Sequence, residues 1–219
     1  MAERPILFNA EMVRAILAGR KTQTRRPVAG SPVFVTQFIG RDNKPTHEYG
    51  LHPESEYVIS KNIRCPLGRP GDRLWVRETW GLHAHSDFTY WNRDSIVGLS
   101  EDDVRGSWAV AYQSDAESPY DHWRPSVHMP RWASRIALEV TDVRVQRVQE
   151  ITAEEAVAEG VRCHICDGRV DGTSENDCAC FHTARNAVPS FEFLWRSIYG
   201  AESWQQNAWV WAVTFRRLP

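Results

Sequence analysis

The sequence has no apolar run long enough to span a bilayer, no charged-then-apolar leader at its start, and no internal repeat or low-complexity segment. The first two absences give the expectation of a cytoplasmic protein with no membrane partner. The third excludes a repeat array. Excess charge is missing too: 26 Lys and Arg stand against 28 Asp and Glu, a formal net charge of -2. Affinity for long nucleic acid would therefore need a local basic patch, while a nucleoside or a short RNA element remains compatible with the balance. Cysteine is sparse at five residues, and four of them crowd between Cys163 and Cys180, which in a reducing compartment points to metal more than to disulfides. Tryptophan is plentiful at ten residues and supplies either buried area or flat faces for stacking a base. At 219 residues and 42% hydrophobic content the chain suits one domain spanning 1–219.

Asn9 is placed to cap a helix whose apolar residues Met12, Val13, Ile16 and Leu17 recur at helical spacing, with Gly19 as the stop. Residues 27–64 read as a loop elaboration with one short strand around 33–38, and 81–107 as a second elaboration. In RLWVRETW, strand alternation puts Leu74, Val76, Glu78 and Trp80 on one face. WAVAY (108–112), the run from Ile136 through Leu138 and Val140, and the closing WVWAVTFRRL read as further strands. In the last of these, Trp209, Trp211, Val213 and Phe215 share a side. Thr152 and Glu155 form a capping box for a short helix ending at Gly160, and Phe191, Leu194, Trp195, Ile198 and Tyr199 mark another. The fold class expected is α+β: a small curled β-barrel with short helices packed at its openings and a cysteine-rich insert at 162–188.

Five features can carry chemistry. GRKTQTRR, residues 19–26, leaves a helix end at Gly19; if 22–26 is extended, Thr24 and Arg26 point the same way, and a bend after Gly19 brings Lys21 alongside. Neighbouring arginines disfavour the charged lysine, so its amine can take a proton from a hydroxyl and activate Thr24. The plain alternative is a cationic helix end complementing the macrodipole. Glu159 stands in the last turn of its helix, where an anion is unfavourable. It suits a general acid or a partner for Lys21 or Arg26, or else it is simply solvated. Glu78 lies on an apolar strand face and needs an arginine, for structure or for orienting substrate. The loop 123–135 interleaves Trp123, Arg124, His128, Arg131, Trp132 and Arg135, which suits phosphate and base recognition or an aromatic rim with snorkelling arginines. Finally, Cys163 and Cys166 (C-x-x-C) and Cys178 and Cys180 (C-x-C) across a Gly- and Asp-rich loop match a structural zinc site, in which Cys65, His164 or His182 can replace one cysteine; reduced cysteines or disulfides are the alternatives.

Gly19, Lys21 and Arg26 in the pattern G-x-K-x-x-x-x-R, followed by GDRLWVRETW, AVAEG and WVWAVTF, resemble the ASCH domain family. The stretch MPRWASRI is similar to its bacteriophage and prophage members. The resemblance covers most of the chain and implies a PUA-like barrel, a bacterial host cell as the setting, and a nucleobase or RNA pocket at the barrel opening. It also implies amidohydrolase activity removing the acetyl group from N4-acetylcytidine, with Lys21, Thr24 and Glu159 as catalytic residues and the family arginine at Arg26. The strand glutamate at Glu78, the cysteine insert and the aromatic loop depart from the small members of the family.

The expected function is thus hydrolysis of N4-acylated cytosine nucleosides by Lys21, Thr24 and Glu159, with substrate held by Arg26, Glu78, Trp80, His128, Arg131, Trp132 and Arg135. A non-catalytic RNA or modified-base binding module and an ASCH-type ribonuclease are the rivals. The expected partner is a modified cytosine nucleoside or a short RNA, and the expected cofactor is a structural zinc ion. Metal analysis of protein purified without chelator is expected to find about one zinc per chain, and clearly less would contradict the four-cysteine site.

Overall fold

A computed structural model of the chain describes residues 2–30, 34–42, 45–52, 61–84, 108–115, 122–161 and 184–219. Strand β1 (Glu3–Leu7) leads into helix α1 (Ala10–Leu17), where the Asn9 side chain accepts a hydrogen bond from the Met12 amide. Gly19, at φ 73°, ends that helix in the left-handed region that glycine enters without steric cost. Strand β2 (Gln23–Pro27) follows, then β3 (Phe34–Ile39), β4 (Pro45–His52), β5 (Lys61–Ile63), β6 (Arg73–Arg77), β7 (Trp80–Ala84), β8 (Trp108–Tyr112) and the long β9 (Ala137–Arg147). Helix α2 (Ala153–Ala158) opens on the Thr152/Glu155 capping box, helix α3 (Ala184–Tyr199) follows, and β10 (Trp209–Arg217) closes the chain.

The mixed α+β class holds, but the expected PUA-like barrel does not. Among the described residues ten strands divide among three open sheets: five strands in the order β1-β6-β9-β10-β2, three in the order β3-β4-β5, and the pair β7-β8. In the main sheet β1 runs parallel to β6 and every other pairing is antiparallel. Strands β1 and β2 remain edges. Between them Arg26 Nη2 donates to the Leu7 carbonyl at 2.7 Å, where a barrel would have a backbone ladder. Alternation in a sequence reports which face a residue occupies but not which strand lies beside it, so closure is not readable from pattern.

The period-2 pattern does set the two faces of the sheet. Trp211, Val213 and Phe215 of β10 join Leu74, Val76, Leu138 and Val140 on one side, where Val13 and Ile16 of α1 and Val35 and Tyr49 of the three-stranded sheet complete the main core. The opposite side presents Val210 to Ala156 of α2 and to Phe191 and Trp195 of α3, so these helices cover a sheet face rather than a barrel mouth. The one short strand expected around 33–38 is present as β3, but β4 and β5 pair beside it where a loop was expected, and Tyr49 fastens this sheet to the main one, edge-on to Trp211 at 5.0 Å with its hydroxyl donating to the Val143 carbonyl. The run RLWVRETW is not one strand either. Its hydrogen-bonded ladder stops at Arg77, and Trp80 begins the separate β7-β8 pair over a small core of Leu82, Met129 and Ala133. Among the described residues no helix is long and apolar enough to cross a membrane.

Asp72 fixes the first strand. Its carboxylate accepts from the Ala2 amide at 2.9 Å, Arg4 Nη1 at 3.0 Å and the Arg69 amide at 3.2 Å, while its own carbonyl accepts from the Val140 amide. The Ala2 amide above all, with Arg4 and the Arg69 amide and against a burial cost, holds the Asp72 carboxyl down at about 2. A depressed acid contributes stability above its unfolded value near 3.8 and loses it as pH falls through about 2. Asp72→Asn is therefore expected to lower the melting temperature at pH 7 by several degrees, with wild type and variant converging as the pH falls toward 2. A difference that persists undiminished at low pH would contradict this assignment.

Candidate functional site

The chain between α1 and β2 is pinned from two sides. The Arg20 and Lys21 amides both donate to the Ala15 carbonyl, and the Thr22 amide donates to the Ala158 carbonyl at the end of α2. Gly160, at φ 73°, backs directly onto this turn. A β-carbon there would lie 2.7 Å from Lys21 Cβ and 3.0 Å from Ala15 Cβ, so only glycine lets the two helix ends approach this closely.

That approach buries the Lys21 amine completely and sets it 2.9 Å from Glu159 Oε2, 2.8 Å from the Glu159 carbonyl and 2.8 Å from the Gln23 carbonyl. Lys21 therefore also caps the last turn of α2, which explains how a glutamate is tolerated at a helix C-terminus. Burial is the dominant influence on the amine and pulls its pKa down. Glu159 opposes the fall, and Arg26 and Arg25 reinforce it. The other Glu159 oxygen, Oε1, accepts from Arg25 Nη1 at 3.2 Å.

Arg25 is the residue that sequence reasoning passed over. Strand alternation turns it away from Thr24 and Arg26, toward the helices, where its guanidinium is only 1% exposed and lies over the Phe191 ring. Its Nη2 donates to Glu155 Oε2 at 2.7 Å and its Nη1 to Gln23 Oε1 at 2.6 Å. Glu155, expected only to cap its helix, also accepts from Arg144 Nη2 at 2.8 Å. Burial pushes the Glu155 carboxyl up, but the Thr152 amide, Arg144 and Arg25 together bring it below the ordinary glutamate value. The available signal was the spacing of Glu155 and Glu159, four apart on one helix face and in need of cations between them.

Thr24 is buried on the core face of β2 opposite Val213. The three hydrogen bonds of the Lys21 amine do not include it. Arg26 lies on the same face, half-buried over the Phe8 ring, and the Lys21 amine faces that ring at 5.5 Å. Lys21 and Arg26 thus meet at the Phe8 ring between the edges β1 and β2, with Glu159 bonded to Lys21 and Thr24 on the core face of β2.

Glu78 meets the arginine its position requires. Arg135 Nε and Nη2 donate to its two oxygens at 3.1 and 3.2 Å, and the Ser114 hydroxyl donates to Oε2. Arg135 also pairs with Asp115 and lies 3.8 Å over the Tyr112 ring. This cluster is linked to the first through Phe8, whose amide donates to the Arg77 carbonyl immediately before Glu78. Trp80 and Trp132 meet edge-to-face, with Arg124 over Trp80. Arg131 turns away to a bidentate pair with Glu3 on β1, and His128 is exposed in a short turn, so neither joins the Lys21 cluster.

Cys163, Cys166, His164, Cys178, Cys180 and His182 lie outside the described residues, while Cys65 is buried and free, its thiol pushed up by burial to about 11. Among the described residues no group of three or more His, Cys, Asp or Glu side chains could hold a metal ion. No family model, curated protein or solved structure matches the chain. The open sheets and these comparisons leave the ASCH, zinc, hydrolase and N4-acetylcytidine expectations without support from outside the chain's own residues.

Removing one member of a buried ion pair strands the other. Lys21→Met is expected to lower the unfolding free energy by about 3 to 5 kcal/mol, and Lys21→Met combined with Glu159→Gln to cost clearly less than the two single losses added together. Strict additivity in denaturant unfolding would show that the two side chains do not interact.

Proposed function

We propose that the Lys21 cluster is the working centre of an amidohydrolase acting on a small N-acylated base, N4-acylated cytosine nucleosides being the substrate class to test. The observation that carries the reading is a fully buried lysine amine whose proton affinity is lowered by desolvation, backed by a fixed carboxylate and followed three residues later by the buried Thr24 of β2. In its neutral form Lys21 accepts the Thr24 hydroxyl proton as Thr24 Oγ1 bonds to the amide carbon. The carbonyl π electrons move onto oxygen, and Arg26 offers the nearby positive charge for that oxyanion. Collapse breaks the C–N bond, and the departing amine takes its proton from Lys21. Both Glu159 oxygens accept from cations, so its part is to balance the ammonium while Lys21 carries the proton. Water then attacks the Thr24 ester, gives its proton to Lys21, and the acid departs as the threonine hydroxyl is restored.

One specific observation favours a second reading, a base-binding module without turnover. The Lys21 side chain has no exposed surface, whereas Arg135, 27% exposed, presents a guanidinium stacked on Tyr112 beside the Trp80 and Trp132 rings.

Thr24→Val separates the two, because it keeps the shape and removes a hydroxyl that makes no hydrogen bond to Lys21. Wild type incubated with N4-acetylcytidine is expected to release cytidine, and Thr24→Val to lose at least about a hundredfold in rate with an unchanged melting temperature. Release that survives Thr24→Val contradicts the nucleophile assignment. Absence of release with retained base binding that is lost in Arg135→Ala supports the second reading.

A further inference from the structure

Arg25 lies on the face of β2 opposite Thr24 and Arg26, and its side chain is 1% exposed. Its Nη1 reaches Glu159 Oε1 and Gln23 Oε1, its Nη2 reaches Glu155 Oε2, and its plane covers Phe191, with only its Nε left buried and unbonded. Glu159 is thereby divided between two cations, one oxygen to each. A carboxylate with one partner can rotate and offer either oxygen; with Oε1 held by a rigid fork that is itself tied to α2 through Glu155, only Oε2 is left for Lys21.

We propose that Arg25 is a positioning residue that fixes the Glu159 carboxylate and withholds part of its charge from Lys21, so that the lysine amine gives up its proton more readily than it would facing Glu159 alone. This rests on the reading of Lys21 as the proton acceptor. The charged groups facing the pair come from every packed element: Arg25 and Arg26 from β2, Glu155 and Glu159 from α2 and its cap, and Arg144 from β9 through Glu155. Of these, Arg25 alone bonds to Glu159 other than Lys21 itself. Its positive charge also acts on Lys21 directly in the same direction.

The test reads Lys21 itself and needs no substrate. Lys21, Lys44 and Lys61 are the chain's only lysines, so protein grown on lysine labelled with carbon-13 at Cε gives three signals, and Lys21→Arg identifies the one of interest. In wild type the Lys21 signal is expected to titrate below the other two. In Arg25→Met it is expected to move up by about one pH unit or more, and in Arg25→Lys, which keeps the charge but loses the fork, by less. Folding is checked by near-ultraviolet circular dichroism, and Arg25→Gln replaces Arg25→Met should the latter fail to fold. An unmoved Lys21 titration in a folded uncharged variant overturns the proposal, as does unfolding of both uncharged variants, which would make Arg25 a plain structural tie. Cytidine release by the same samples is followed in parallel. An upward titration shift without activity in any sample upholds the role of Arg25 and fails the amidohydrolase reading, whereas activity with a static titration does the reverse.

Discussion

The structure depends on a set of charges taken out of water and made to satisfy one another. Lys21, Arg25 and Glu159 are all buried, and moving each from solvent costs several kcal/mol before any attraction is counted. That cost is met because the geometry leaves little unspent: three acceptors surround the lysine amine, both Glu159 oxygens are taken, and Glu155 links Arg25 to Arg144 on the next strand but one. Such a network contributes little net stability, but it specifies one docking of α2 against β2. Gly160 without a side chain, the αL turn at Gly19 and the unfavourable placement of Glu159 follow from that docking.

The same network ties the fold to its proposed chemistry. A sheet that closed into a barrel would pair β1 with β2 and consume the backbone groups at the seam. Here the sheet stays open, and Arg26, Phe8 and Lys21 gather between its edges. The Phe8 amide also donates to the Arg77 carbonyl, next to the Glu78 that pairs with Arg135.

Much of this was legible in local chemistry. The Asn9 cap, the Gly19 and Gly160 stops, the Thr152/Glu155 capping box and the shared face of Trp211, Val213 and Phe215 are all short-range consequences of backbone geometry and period, and the structure carries each. Glu159 stood out because it opposed the helix dipole, and Glu78 because it opposed its apolar face; both found cations. Sheet closure was not legible, since pairing partners are set by long-range contacts; the short strand expected around 33–38 is β3, but β4 and β5 beside it were not legible behind the Gly, Pro and His content of their region. Arg25 was hidden for a different reason. A buried arginine in a strand has the same sequence appearance as an exposed one, and only the positions of Glu155 and Glu159 across the helix interface distinguish them.

The central claim is that Thr24, activated by Lys21, forms a covalent bond to the acyl group of its substrate. The most direct measurement is the mass of the intact protein after rapid acid quenching during exposure to an N4-acyl cytosine carrying a bulky, slowly hydrolysed acyl group, followed by mapping of the modified peptide. The account predicts a mass increase equal to the acyl group, located on Thr24 and missing from Thr24→Val. An unmodified protein despite product formation, or an acyl group found on Lys21 instead, would contradict it.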